Sequence, residues 1–253
     1  MSAKKETLGK TVGVVIAVCL VCSVIVSTAA VGLRSKQEAN AKLDKQTNIL
    51  ESAGLLEPGQ SKDQIAATYA DRVEQKFVDL ATGQYVEEDA DYDMYKAARD
   101  PAKSIKPVPD TAGILRRPNV ASVYLIKNPA GDVTRIVLPI NGSGLWNLMY
   151  AMLAVDSDGN TVRELVYYDQ KETPGLGGEV QNPEWKAKWN GKKLYKDGEV
   201  AIDVTKGADA NDPYEVDALS GATLTSNGVQ NTLDYWLGKN GFGPYLKNQP
   251  WKS

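Results

Sequence analysis

The 253-residue chain contains no histidine. That absence removes His-based nucleophile triads, most catalytic zinc sites and the usual proton shuttle near neutral pH. Cysteine is scarce as well: Cys19 and Cys22 both lie inside a long apolar run near the N-terminus. Their C-x-x-C spacing matches a redox pair, but no cation or βαβ pattern accompanies it. Two small apolar residues in a membrane helix is the better reading. The cysteine-free remainder fits an oxidising compartment. Positive charge is not in excess either, with a net charge of −3 and a pI near 5.2, so nothing marks a nucleic-acid surface. No G-x-G-x-x-G opens a helix after a strand, so the chain lacks the common dinucleotide fingerprint. A redox role here requires an organic cofactor.

What the sequence does have begins with residues 11–33, uncharged and rich in Val, Ile, Leu and Ala. At about 1.5 Å per residue they extend roughly 34 Å as a helix, against about 30 Å for a bilayer core. A cleaved signal peptide competes, with Lys4, Lys5 and Lys10 as its basic start and Ser27-Thr-Ala-Ala30 as small residues. The run exceeds the roughly 7–15 apolar residues of a signal, which favours a retained single-pass anchor. Charge orients it poorly: three lysines precede it, while Arg34, Lys36, Lys42 and Lys45 follow. The short tail, residues 1–10, weakly favours a cytoplasmic N-terminus.

Residues 34–118 read as a helical N-terminal part of a soluble domain. A stalk helix over 35–53 is broken at Leu56-Glu-Pro-Gly-Gln60. Ser61 and Gln64 then have capping-box spacing, and Ile65, Tyr69, Val73, Phe77 and Leu80 follow at helical intervals, predicting one helix that ends near Gly83. Glu87, Glu88, Asp89, Asp91 and Asp93 lack the spacing of a calcium loop and read as a solvated surface or a partner contact. Pro107, Pro109 and Pro118 mark an irregular connection to a second part, residues 119–253. There, Val120–Ile126 and Val133–Ile140 flank an Asn128–Asp132 loop, and Leu148–Val155 and Val162–Tyr168 flank Asp156–Asn160 with its Asp-Gly turn. Asp156 and Asp158 are turn formers more readily than metal ligands. Another strand pair surrounds Asp197-Gly198. The fold class expected is α+β: an antiparallel sheet with flanking helices, behind one N-terminal transmembrane helix.

Three segments invite a ligand. Gly142-Ser-Gly-Leu-Trp146 precedes a strand, and Glu172-Thr-Pro-Gly-Leu-Gly-Gly178 follows another. On local pattern alone the second is a tight structural loop; its glycines are compatible with close approach of backbone amides to a ligand, with Leu176 or Trp146 as apolar cover. Glu172 either bonds a ligand edge or caps its own loop. Trp185 and Trp189, at i and i+4 of a short helix, are expected to pack beneath this loop. The third segment is Asp217-Ala-Leu-Ser-Gly-Ala-Thr-Leu-Thr-Ser226, which enters an amphipathic helix with Val229, Leu233, Trp236 and Leu237 on one stripe and Gly238 at its end. Thr225, Ser226 or Asn227 is the expected cap, with Gln230 completing a box from Asn227. Hydroxyls in a glycine turn at a helix start suit a phosphate, although a capped helix with nothing bound has the same pattern. Lys206, just upstream, is an ordinary surface lysine unless it faces a phosphate or reduced ring.

Asp217-x-x-Ser220-Gly221-Ala222-Thr223 resembles the flavinylation signature D-x-x-S/T-G-A-T, and Glu172–Gly177 resembles the E-T-P-G-L-G string of FMN-binding domains. Taken along nearly the whole chain, the sequence is similar to the NqrC family, the C component of the bacterial sodium-translocating NADH:quinone oxidoreductase. The sister family, the G component of the Rnf complex (RnfG), is usually shorter between anchor and domain, whereas residues 55–118 here are long. The resemblance implies FMN joined covalently by a flavin transferase, through its phosphate, to Thr223; Thr225 and Ser226 are rival hydroxyls that the spacing disfavours. It implies a cofactor site of Thr223, Ser220, Gly221, Ala222, Leu224, Thr225, Leu145, Trp146, Glu172, Thr173, Gly175, Leu176, Gly177 and Lys206, without catalytic residues or metal. It implies electron relay from an iron–sulfur centre to another flavin-bearing component, in a complex with the A, B, D, E and F components. The expected location is the bacterial inner membrane, with the large domain periplasmic. Two other readings stand beside it: a stand-alone membrane-anchored flavoprotein reductase, and a colourless anchored adapter with Thr223 unused.

Overall fold

The computed structural model describes residues 8–252, so the expected tail lies outside the described residues as far as residue 7. The chain divides into two compact units, Met1–Lys45 and Gln46–Ser253. The first is helical throughout its described length, with Val12, Val14, Ile16, Leu20, Val24 and Ile25 exposed, and its helix is long and apolar enough to cross a membrane. That helix, α1 (Leu8–Ser52), is 45 residues long and joins the expected span and stalk without a break. Its end reaches into the second unit, where Ile49 and Leu50 are completely buried.

Within the second unit α2 (Lys62–Arg72) starts at the expected capping box: Ser61 Oγ accepts from Gln64 N, and Gln64 Oε1 accepts from Ser61 N. The single long helix expected over 65–80 does not form. The chain switches at Val73 into β1 (Val73–Asp79), which turns into β2 (Gln84–Val86). Spacings of four satisfy both one helical turn and two strand repeats, and Val73, Phe77 and Val78 are residues that a pleated, half-buried surface prefers. The stretch 34–118 is therefore not helical alone. It also holds α3 (Met94–Ala97) and the short pair β3 (Ser104–Ile105) and β4 (Arg117–Pro118).

β5 (Val120–Lys127), β6 (Val133–Ser143), β7 (Leu148–Asp156) and β8 (Val162–Asp169) follow as the expected meander. With β1 and β2 they form one antiparallel sheet in the order β2-β1-β5-β6-β7-β8. Side chains alternate between two cores, as a period of two requires. Val78, Val123, Leu125, Leu138, Ile140, Ala151 and Leu153 enter the larger one. Tyr124, Ile126, Val137, Met152 and Ala154 face the smaller one, which Ile49 and Ala53 at the end of α1 cover together with Tyr69 and Val73.

After β8 come α4 (Pro183–Ala187), the hairpin of β9 (Tyr195–Lys196) with β10 (Glu199–Val200), and a parallel pair, β11 (Asp203–Thr205) with β12 (Glu215–Asp217). Asp197 and Gly198 at the hairpin tip both take positive φ, 53° and 87°. The chain ends with α5 (Thr223–Leu237), α6 (Gly243–Asn248) and a short 3-10 turn. Val229, Leu233, Trp236 and Leu237 of α5 are buried in the larger core, as the stripe predicts, and Gly238 caps the helix.

Candidate functional site

The site forms where α5 lies against the end of β6. Trp236 Nε1 donates to Asn141 O at 2.7 Å. One turn earlier, a Cβ on Gly142 would collide with the Thr232 side chain, and one turn earlier again a Cβ on Gly228 would collide with Ser143 O. Residues 228, 232 and 236 thus form a rail that brings the start of α5 to the tip of the β6–β7 hairpin. Sequence reading missed Gly228; a lone glycine inside an amphipathic pattern was its signal.

At that tip Gly144 N donates to Asn147 O at 2.8 Å, closing a tight turn that projects Leu145 and Trp146. Trp146 is 69% exposed. The neighbouring loop after β8 folds as Thr173-Pro-Gly-Leu176, with Leu176 N donating to Thr173 O at 3.1 Å. Pro174 at its second position and Gly175 at its third, with φ 76°, are what a type II turn demands. The two loops are pinned together: Trp146 N donates to Glu172 Oε1 at 3.0 Å, and Trp146 Nε1 to Thr173 Oγ1 at 3.2 Å.

The third segment closes the arrangement. Thr225 Oγ1 donates to Glu172 Oε2 at 2.5 Å, and a Cβ on Gly221 would meet the Leu176 methyl at 3.3 Å. Gly221 has φ 72°, a conformation that favours glycine at this bend. Helix α5 starts earlier than expected, at Thr223. Its cap position is Ala222, which offers no side-chain acceptor, so the expected caps Thr225, Ser226 and Asn227 lie within the first turn. Ser226 Oγ instead accepts from Leu219 N at 3.0 Å and donates to Ala222 O at 3.1 Å, tying the bend from inside. Gln230 reaches sideways to β11, accepting from Val204 N at 2.7 Å. Ala222 N donates to Leu219 O and the first intrahelical bond runs from Ser226 N to Ala222 O, which leaves the amides of Thr223, Leu224 and Thr225 for an external acceptor.

The hydroxyls separate by exposure. Thr225 and Ser226 are 1% and 2% exposed, whereas Ser220 and Thr223 face solvent. Leu145, Leu176 and Leu224 are exposed with Trp146, apolar side chains contributed by all three segments. Asp217 points away from them: Lys188 Nζ donates to its Oδ2 at 3.1 Å and Gly207 N to its Oδ1 at 3.1 Å. The Lys188 bond holds the Asp217 carboxyl below its ordinary range. Trp185 Nε1 donates to Asp217 O at 2.9 Å and meets Trp189 edge-on, so the tryptophan pair supports the motif's first residue. Lys206 is exposed on the turn after β11, and among the described residues it has no bond to the three segments. Sequence reading named the three loops and Glu172, but not Lys188.

The chain is similar to known proteins. Residues 144–238 match the family model described as FMN-binding domain. The chain is 52% identical over 247 residues to the C component of the Na(+)-translocating NADH-quinone reductase of Yersinia pestis, covering 96% of this chain and 93% of that one. The protein of the same name from Vibrio parahaemolyticus is 54% identical, with 97% of each chain covered. Among solved structures, Shewanella oneidensis NqrC superposes with a TM-score of 0.77 at 35% identity, covering 83% of this chain and 98% of that one. The structure of the same component from Parabacteroides distasonis gives 0.67 at 30% identity, covering 85% and 96%.

Proposed function

The chain belongs to the NqrC family, the C components of the Na(+)-translocating NADH-quinone reductases, which carry an FMN-binding domain, and from that premise we propose that it carries FMN as a phosphoester on Thr223 and relays electrons through it. The observation that carries the assignment is the contrast among the hydroxyls. Thr225 and Ser226 are buried and committed to protein partners, while Thr223 is exposed at the first position of a helix that no side chain caps; Ser220, also exposed, lies before the helix start.

The residues fit the group. Orphan amides and the positive end of the helix dipole favour a phosphate there. Gly221 keeps the approach open, with Ser220 and Ala222 beside it. Leu145, Trp146, Leu176 and Leu224 offer apolar faces for a flat ring, and Gly175 and Gly177 shape the loop that bears one of them. FMN, when bound, supplies reversible electron uptake and release. The chain supplies the ester oxygen of Thr223, holds the phosphate oxygens, and positions the ring surface. Lys206 is exposed on the turn that Gly207 N ties to Asp217, and its long side chain is a candidate partner for the phosphate or the reduced ring.

In this reading electrons arrive from an iron–sulfur centre and leave to another flavin-bearing component. The A, B, D, E and F components are the partners and a flavin transferase matures the chain. Helix α1 anchors the protein in the bacterial inner membrane as a single pass, with its N-terminus cytoplasmic and the domain periplasmic. No Asp or Glu lies within residues 11–33, so sodium passage falls to the partners.

The test is the intact mass of the chain made with its native maturation machinery, followed by mapping of the peptide covering residues 207–239. Esterified FMN is expected on Thr223. Thr223→Ala should abolish the added mass with unchanged far-UV circular dichroism, while Thr225→Ala and Ser226→Ala should retain it. FMN on either of those hydroxyls would overturn the assignment.

A further inference from the structure

Glu172 is buried to 5% exposure, and both of its carboxylate oxygens are occupied by groups from distant parts of the chain. Oε1 accepts the backbone N–H of Trp146, and Oε2 accepts the hydroxyl of Thr225. The space around it is made by two glycines. A Cβ on Gly144 would lie 2.6 Å from Oε1, and one on Gly177 would lie 2.7 Å from Oε2 and crowd Thr225 Oγ1. With both oxygens turned inward, the carboxylate does not present an edge to a ligand. It joins the hairpin tip, the type II turn and the first turn of α5.

We infer that Glu172 is the positioning residue of this site, a clamp that fixes the exposed Trp146 surface relative to the turn carrying Thr223. The inference rests on the FMN reading above for its purpose, not for its geometry. Two consequences follow from the bonding. The Thr225 hydroxyl points its proton inward and is committed to the clamp, whereas Thr223, two residues before it, is exposed. The Trp146 loop loses its freedom to swing, so a ring tethered at Thr223 meets a preset face instead of a mobile one. Removing the carboxylate leaves the Trp146 N–H without its acceptor and strands the buried Thr225 hydroxyl. A glutamine keeps the bridge, because its carbonyl accepts from Trp146 N–H and its amide donates to Thr225 Oγ1.

The test compares the full flavinylated chain with Glu172→Ala, Glu172→Gln and Thr225→Val. Flavin emission, which contact with Trp146 would quench, is expected to rise several-fold in Glu172→Ala and to stay at the wild-type level in Glu172→Gln, with FMN still mapped to Thr223. Thr225→Val cuts one arm only and should give a smaller rise; it carries the test if Glu172→Ala does not fold. A second readout needs no flavin. Trp146 is the exposed one of five tryptophans, the other four being buried. The fast component of tryptophan anisotropy decay should therefore grow in Glu172→Ala and Thr225→Val and not in Glu172→Gln. A fall in thermal midpoint with emission and anisotropy unchanged in both bridge-cutting variants would overturn the clamp. An unflavinylated wild type would sink the FMN reading, while the anisotropy comparison would still decide the clamp.

Discussion

A missing methyl group sets how closely α5 approaches the sheet. In most helices glycine is a liability of about 1 kcal/mol relative to alanine. At Gly228 the sign reverses, because an added Cβ would collide with Ser143 O and lie 3.2 Å from Gly144 Cα, both backbone atoms with little room to yield. Gly228→Ala should lose about 1–3 kcal/mol to overpacking, read as a lower urea midpoint at unchanged slope. It should also displace the hairpin tip that bears Trp146. Local pattern identified the loops but not this contact, since a close approach between residues 85 positions apart leaves only a glycine as its trace. Nor did pattern place the start of α5. Thr225 and Ser226 are good cap residues, yet their hydroxyls bond to Glu172 and Leu219, which folding alone brings near.

The elements built from local chemistry were legible: the meander β5–β8, with its Asn128–Asp132 and Asp156–Asn160 turns, and the capping box of α2. β1 was not, because its spacing of four suits either period and its partner β5 lies more than forty residues on. The docking of the end of α1 was equally hidden. Lys186 of α4, largely buried, reaches Glu51 at 2.7 Å and Glu164 of β8 at 3.2 Å. Burial pulls the lysine's pKa down, but its bonds to Glu51 and the charge of Glu164 outweigh that and raise it. The contribution is complete below the ordinary lysine value of about 10.4 and fades as pH rises through the higher folded value. Lys186→Ala should cost about 1–3 kcal/mol at neutral pH, measured by thermal melting, and the deficit relative to wild type should shrink in strongly alkaline buffer.

At the scale of the molecule, the two units differ in what they need from their surroundings. The exposed Val, Ile and Leu side chains of residues 12–33 have no protein partner among the described residues, whereas Gln46–Ser253 contains both cores and all twelve strands described. A chain beginning at Gln46 keeps only the last two turns of α1. So short a helix is not stable by propensity, since isolated helices below about 12 residues are marginal in water. Its stability has to come from Ile49 and Leu50, fully buried, and from Ala53 against Tyr124, Ile126 and Met152. The truncated chain should stay soluble without detergent and unfold in one cooperative transition, while the full chain should require detergent or lipid. Ile49→Ala in the truncated chain should cost about 2–5 kcal/mol, the range for emptying a packed core position. A loss below about 0.5 kcal/mol, as for a surface site, would mean that residues before Gln46 are needed to seat this turn on the sheet.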